Sequence, residues 1–106
     1  MKRNKYRNKW TEYNGTRYAS RREARYAADL DLLVKAKEIA SWRRQVRVPL
    51  IVNDRKITTY ILDFEITHNS GELEYIEVKG YPTPEWLLKW KLFDALWPKL
   101  RKQIVK

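Results

Sequence analysis

Apolar and polar positions alternate most regularly between Tyr60 and Gly80. The arm Tyr60-Ile61-Leu62-Asp63-Phe64-Glu65-Ile66 is apolar at every second residue, in aromatic, β-branched or leucine side chains. The run His68-Asn69-Ser70-Gly71 then supplies turn formers, and a second arm follows from Leu73 to Lys79, closed by Gly80. This pattern predicts one β-hairpin. With its reversal centred on Ser70, facing residues carry numbers that sum to about 140, which sets Asp63 across from Glu77 within about a residue. Side chains alternate in face along a strand, so Glu77 and Lys79 share one face and Ile76 and Val78 the other. Asp63 likewise lies on the opposite face from Leu62 and Phe64.

The remaining elements follow from period and punctuation. Asn14-Gly15, between Tyr13 and Tyr18, signals a tight turn or short hairpin. Ser20-Arg21-Arg22-Glu23 has the form of a capping box, and from there to Ala40 no Gly or Pro intervenes. Ala27, Leu30 and Val34 recur at helical spacing, widened by Tyr26 and Leu33, so a first helix is expected from Ser20 to Ala40. Ser41 to Leu50 reads as a strand with Val46, Val48 and Leu50 inward and Gln45 and Arg47 outward; Pro49 assigns its far end to a sheet edge or strand terminus. Asn53-Asp54-Arg55-Lys56 is a polar turn, and the next strand is entered at Ile57. Thr83-Pro84-Glu85 opens a second helix that runs to Trp97 with Trp86, Trp90, Phe93 and Trp97 on one stripe. Leu88, Leu92, Ala95 and Leu96 cover much of its remaining circumference. Two readings stand for so apolar a helix: a homodimer interface through Pro84–Trp97, or a core helix sandwiched within one chain. Gln103-Ile104-Val105 is β-prone and sized for a terminal strand.

Composition narrows the class. At 106 residues the chain has room for one domain, with residues 1–12 as a basic flexible arm and 13–106 as the domain. It contains no cysteine, which excludes disulfides and thiolate metal sites and fits a reducing, cytoplasmic home. The one histidine, His68, reads as a solvated turn residue. No apolar run approaches a membrane span, and a soluble protein without a membrane partner is expected. Lys and Arg number 23 against 13 Asp and Glu, a formal charge of +10 that favours a polyanionic partner, most commonly nucleic acid. Five Trp and seven Tyr exceed what one small core needs. Lys2, Arg3, Lys5, Arg7 and Lys9 make the arm either a solvated tail or a contact to phosphate. Arg21, Arg22 and Arg25 crowd the first turns of the first helix, where its dipole prefers acids, and phosphate contact accounts for them better than stability does.

Like charges facing each other across neighbouring strands repel by up to roughly 1 kcal/mol. Asp63 and Glu77 therefore want a cation. Lys79 is one, and a divalent ion such as Mg²⁺, held by both carboxylates, is a better one. Glu-x-Lys is also common on solvated strand faces, and that plainer reading competes. An Asp inside an otherwise apolar strand, costly if unpaired, speaks for the site. One turn back along the apolar stripe of the first helix stands Glu23, which either closes the capping box or looks toward Asp63.

The order helix, three strands, helix, short strand, with Asp63 in the second strand and Glu77-Val78-Lys79 in the third, resembles the PD-(D/E)XK, or restriction-endonuclease-like, nuclease superfamily. Tyr13-Asn14-Gly15, Tyr18 to Glu23, Gln45-Val46, Asp63-Phe64, Glu77-Val78-Lys79-Gly80 and Lys91-Leu92-Phe93 are similar to a family of small, mostly phage-encoded proteins within it. The likeness runs from about Tyr13 to the end; Leu62 replaces the Pro of the superfamily's name. It implies an α/β (α+β) fold with an αβββαβ core, a mixed sheet flanked by two helices. It implies Mg²⁺ or Mn²⁺ on Asp63, Glu77 and the Val78 carbonyl, Lys79 acting on the attacking water and the phosphate, and Glu23 on a second ion or a water. Gln45 and Lys91 are secondary candidates, for the water and for phosphate. The function expected is metal-dependent hydrolysis of DNA by a dimer, branched DNA such as Holliday junctions before plain duplex, because the chain has no spare segment for reading base edges. Two alternatives are a non-catalytic nucleic-acid-binding module of the same fold and a nuclease directed at RNA.

Overall fold

The computed structural model describes residues 10–106, so the arm positions Lys2, Arg3, Lys5, Arg7 and Lys9 lie outside the described residues. The chain forms two compact units, the first ending at Glu38 and the second spanning Ile39–Lys106. The class is mixed α+β, with two helices and a four-stranded sheet of mixed direction among the described residues. Among the described residues no helix is long and apolar enough to cross a membrane.

In the first unit, β1 (Thr11–Tyr13) and β2 (Thr16–Tyr18) pair antiparallel. Asn14 and Gly15 turn between them with φ of 51° and 81°, the two positive values that a two-residue hairpin of matching twist requires. α1 (Arg21–Lys35) starts at Ser20, whose side chain accepts from the Glu23 N–H, and buries Ala24, Ala27 and Leu30. Tyr13 joins hairpin to helix, its hydroxyl donating to Asp31 at 2.5 Å. The helix stops at Lys35, short of the expected Ala40. Lys37 adopts φ 60°, Glu38 N–H donates to the Leu33 carbonyl and Lys37 N–H to that of Val34. That is a Schellman cap, closed here by a lysine where glycine is usual. Leu33, expected in the apolar face, is 39 % exposed.

In the second unit the spatial order is β3-β4-β5-β6. β3 (Ser41–Val52) and β4 (Arg55–Thr67) make a long antiparallel hairpin. Its turn is only Asn53 and Asp54, both at positive φ, so β4 begins two residues before Ile57. The register shifts between Leu50 and Ile51, leaving Ile57 as the extra residue of a bulge. Val46 and Leu50 are buried, Val48 is partly so and Gln45 and Arg47 are exposed, and β3 is an edge strand, as Pro49 implied. β5 (Leu73–Val78) pairs with β4 in the register anticipated from the turn, Phe64 with Ile76 and Glu65 with Tyr75. His68 departs from the solvated role expected of it. Its Nε2 lies 2.8 Å from Oε1 of the buried Glu74, which also receives Arg101 at 3.4 Å.

β6 (Arg101–Val105) runs parallel to β5, and parallel neighbours need a crossover, which α2 (Pro84–Leu96) provides. Thr83 caps it, accepting from the Trp86 N–H, with Pro at the first helical position. The crossover lays one stripe of α2 on the sheet: Phe93 is 1 % exposed and its ring meets Tyr60 at 5.5 Å and Tyr75 at 5.9 Å. Trp86 and Trp90 pack on the same core with Val46, Leu50 and Leu62. The opposite side of α2 leaves Leu87 and Leu88 exposed.

Candidate functional site

The β4–β5 ladder ends at Phe64 and Ile76. One rung further stand Asp63 and Glu77, and here side chains take over from main chain. The Asp63 N–H donates to Glu77 Oε1 at 2.9 Å, and the Val78 N–H donates to Asp63 Oδ2 at 2.8 Å. A buried N–H left without a partner is costly, so each carboxylate closes the bond that the parting strands leave open. Sequence periodicity brought the two acids to the same rung; the end of the ladder crosses them over.

Glu77 is 3 % exposed. Its second oxygen accepts from the Trp86 indole N–H at 2.7 Å, and the same indole nitrogen lies 3.0 Å from the Tyr60 hydroxyl. Burial, followed by the charge of Asp63, pushes the Glu77 carboxyl up to about 7. Burial also raises Asp63, against the lowering influence of the Val78 N–H and of the positive charges of Lys79 and Arg44. Tyr60 is raised by burial and then by Glu77, so its hydroxyl stays protonated. Lys79 is half-buried two residues past Glu77, with Nζ 5.2 Å from the centre of the Trp86 ring. Asp63, Glu77, Val78 and Lys79 are thus gathered where β4 and β5 part.

Gln45 occupies the β3 position across from Asp63, between the pairs Arg44–Phe64 and Val46–Leu62. Its φ is 54°, a left-handed backbone that costs a non-glycine residue on the order of 1 kcal/mol and recurs at functional sites. Lys91 is exposed on α2, about 140° round the helix from Trp86. Glu23 belongs to the first unit, half-buried at the start of α1, and Arg21, Arg22 and Arg25 are exposed on the same turns. Among the described residues no set of three His, Cys, Asp or Glu side chains is grouped to hold a metal ion. A cation here would rest on two carboxylates and main-chain oxygen. Each carboxylate oxygen has a second lone pair beyond its hydrogen bond, and Asp63 Oδ1 accepts none of the bonds among the described residues. A buried Glu77 raised by burial and by the charge of a half-buried Asp63 beside it fits a divalent ion.

Sequence periodicity gave no sign of Trp86 and Tyr60 as neighbours of Glu77. Trp86 stood out only as one ring of an apolar stripe, and an indole N–H carries no period of its own.

A family profile described as Protein of unknown function (DUF1064) matches residues 3–106. The chain belongs to that family. No curated protein and no solved structure matches it. The DUF1064 match covers Glu23, Gln45, Asp63, Glu77, Lys79 and Lys91 alike.

Proposed function

We propose that this chain is a divalent-metal-dependent endonuclease of the PD-(D/E)XK kind, acting on DNA and best suited to branched DNA. One observation carries the reading: the crossed pair in which Asp63 and Glu77 each bond the main chain of the other's strand, inside a strand junction where burial raises both acids and the charge of Asp63 raises Glu77 further. The net charge of +10 supports a phosphate-bearing partner.

Asp63, Glu77 and the Val78 carbonyl would hold Mg²⁺ or Mn²⁺. When bound, the ion would lower the pKa of water and draw charge from the phosphate oxygens. The protein's own groups do the rest. Lys79 places an ammonium near Asp63, where it offsets negative charge developing on the phosphate and donates a hydrogen bond that orients the attacking water. Gln45, in its fixed left-handed conformation across from Asp63, offers an amide to orient that water. Arg21, Arg22, Arg25 and the basic arm hold the phosphate backbone.

A second reading, a nucleic-acid-binding module without catalysis, draws on one observation. Both oxygens of Glu77 already accept hydrogen bonds, so the carboxyl is satisfied without an ion. Labelled four-way junction, flap and linear duplex, with RNA counterparts, incubated in Mg²⁺ separate the two. Cleavage by the native protein, reduced at least about 100-fold by Asp63→Ala, is the expected result. Equal cleavage by the variant, or none on any substrate, leaves the binding module.

A further inference from the structure

We infer that Trp86 is a positioning residue of this site, its indole N–H fixing the Glu77 carboxylate while its ring face seats the Lys79 ammonium. The inference rests on the nuclease reading and goes beyond it by naming how α2 enters the chemistry. Trp90 and Phe93 follow Trp86 along the stripe and meet the core through their rings. Trp86 differs from them. Its Nε1 lies 2.7 Å from Glu77 Oε2, and Lys79 Nζ lies 5.2 Å from its ring centre, so one side chain touches both charged groups of the Glu-x-Lys pair. With the Asp63 N–H on Oε1, two donors from different elements fix the plane of the Glu77 carboxylate. Partners of this kind, one shell beyond the ligands, set ligand orientation and metal affinity.

Trp86 is itself held from three directions. Thr83 Oγ1 accepts its main-chain N–H at 3.2 Å, Trp90 stacks on it at 5.9 Å with 21° between the rings, and the Tyr60 hydroxyl lies 3.0 Å from its Nε1. The start of the crossover helix thus reaches the carboxylate of the strand that precedes it. A cation over an aromatic face gains roughly 0.5–2 kcal/mol, enough to bias a flexible lysine toward one place.

Three variants of the full chain test this, with Mn²⁺ affinity from titration calorimetry and kcat and KM for DNA cleavage in Mg²⁺. Trp86→Phe keeps a ring and deletes the N–H; it is expected to weaken Mn²⁺ binding about 10-fold or more and to raise the Mg²⁺ concentration needed for half-maximal cleavage in proportion. Trp86→Leu removes the ring as well, and kcat falls several-fold. Trp90→Phe, the packing control, lowers the melting temperature without moving Mn²⁺ affinity. A folded Trp86→Phe variant with native Mn²⁺ affinity overturns the inference. Native protein that neither binds Mn²⁺ nor cleaves overturns the nuclease reading on which it rests. The Trp86 indole N–H resonance of ¹⁵N-labelled native protein reads the contact directly: it should shift with saturating Mg²⁺ and with Glu77→Gln. A resonance unmoved by Mg²⁺ that the protein demonstrably binds counts against the inference even where Trp86 variants fail to fold.

Discussion

At Glu77, burial at 3 % exposure beside a second acid moves the carboxyl from 4.5 to about 7. A carboxyl raised on folding binds its proton more tightly in the folded chain. Its stabilising contribution is therefore full below about 4.5 and is lost as pH rises through about 7. Asp63 acts with the same sign. Glu65 acts with the opposite sign, since its bond to Arg43 lowers it, but its effect lies largely below the ordinary Glu range. The metal-free protein should lose on the order of 2 kcal/mol between pH 5 and pH 8 by denaturant titration, Glu77→Gln should flatten that slope, and Mg²⁺ should restore stability at the upper end. An unchanged slope in the variant would mean Glu77 does not titrate there. Gln45 belongs to the same scale: its side chain was legible as a candidate, and its left-handed backbone was not, because nothing in Arg44-Gln45-Val46 favours that conformation locally.

Among the elements, the two helix starts were readable and one helix end was not. Ser20 and Thr83 cap where their hydroxyls can reach the third N–H along, a relation contained within four consecutive residues. The end of α1 depends on Lys37 accepting a positive φ so that the last carbonyls find donors, with no Gly or Asn to announce it. Lys37→Gly should stabilise the protein by about 0.5 kcal/mol, relief of the left-handed strain exceeding the added chain entropy. Lys35→Gly, two residues earlier at helical dihedrals, should instead cost about 1 kcal/mol. Thermal or urea unfolding of the pair checks the opposed signs. The β4–β5 register was legible because alternation and turn position agreed, and that agreement set Asp63 and Glu77 on one rung.

For the whole molecule, charge and exposed apolar surface set the expectations. Binding to nucleic acid should weaken linearly in log–log plots against salt, and changing Arg21, Arg22 and Arg25 together to Gln should reduce the magnitude of that slope by about 2–3. Leu87 and Leu88 are 40 % and 69 % exposed on α2, on the side turned away from the sheet. The apolar stripe of Trp86, Trp90 and Phe93 is used within the chain, so a homodimer through Pro84–Trp97 would use the Leu87–Leu88 side. Leu88→Lys should then convert a dimer to a monomer in sedimentation velocity; a native protein that is already monomeric would remove the dimer from the proposal.

The sequence by itself determined what recurs with a short period or sits within a few residues: the strands and their faces, the hairpin register, the helix N-caps and the pairing of Asp63 with Glu77. Only the tertiary structure decided that the β4–β5 ladder ends at Phe64 and Ile76, so that each carboxylate bonds main chain beside the other, and that the α2 crossover carries the Trp86 N–H to Glu77. It also set the ring of His68, whose main chain still closes the turn, against Glu74. The division has one physical cause. Periodicity and capping are satisfied between chain neighbours, whereas the partner of a buried N–H or carboxylate is whichever group the packing of distant segments brings within about 3 Å.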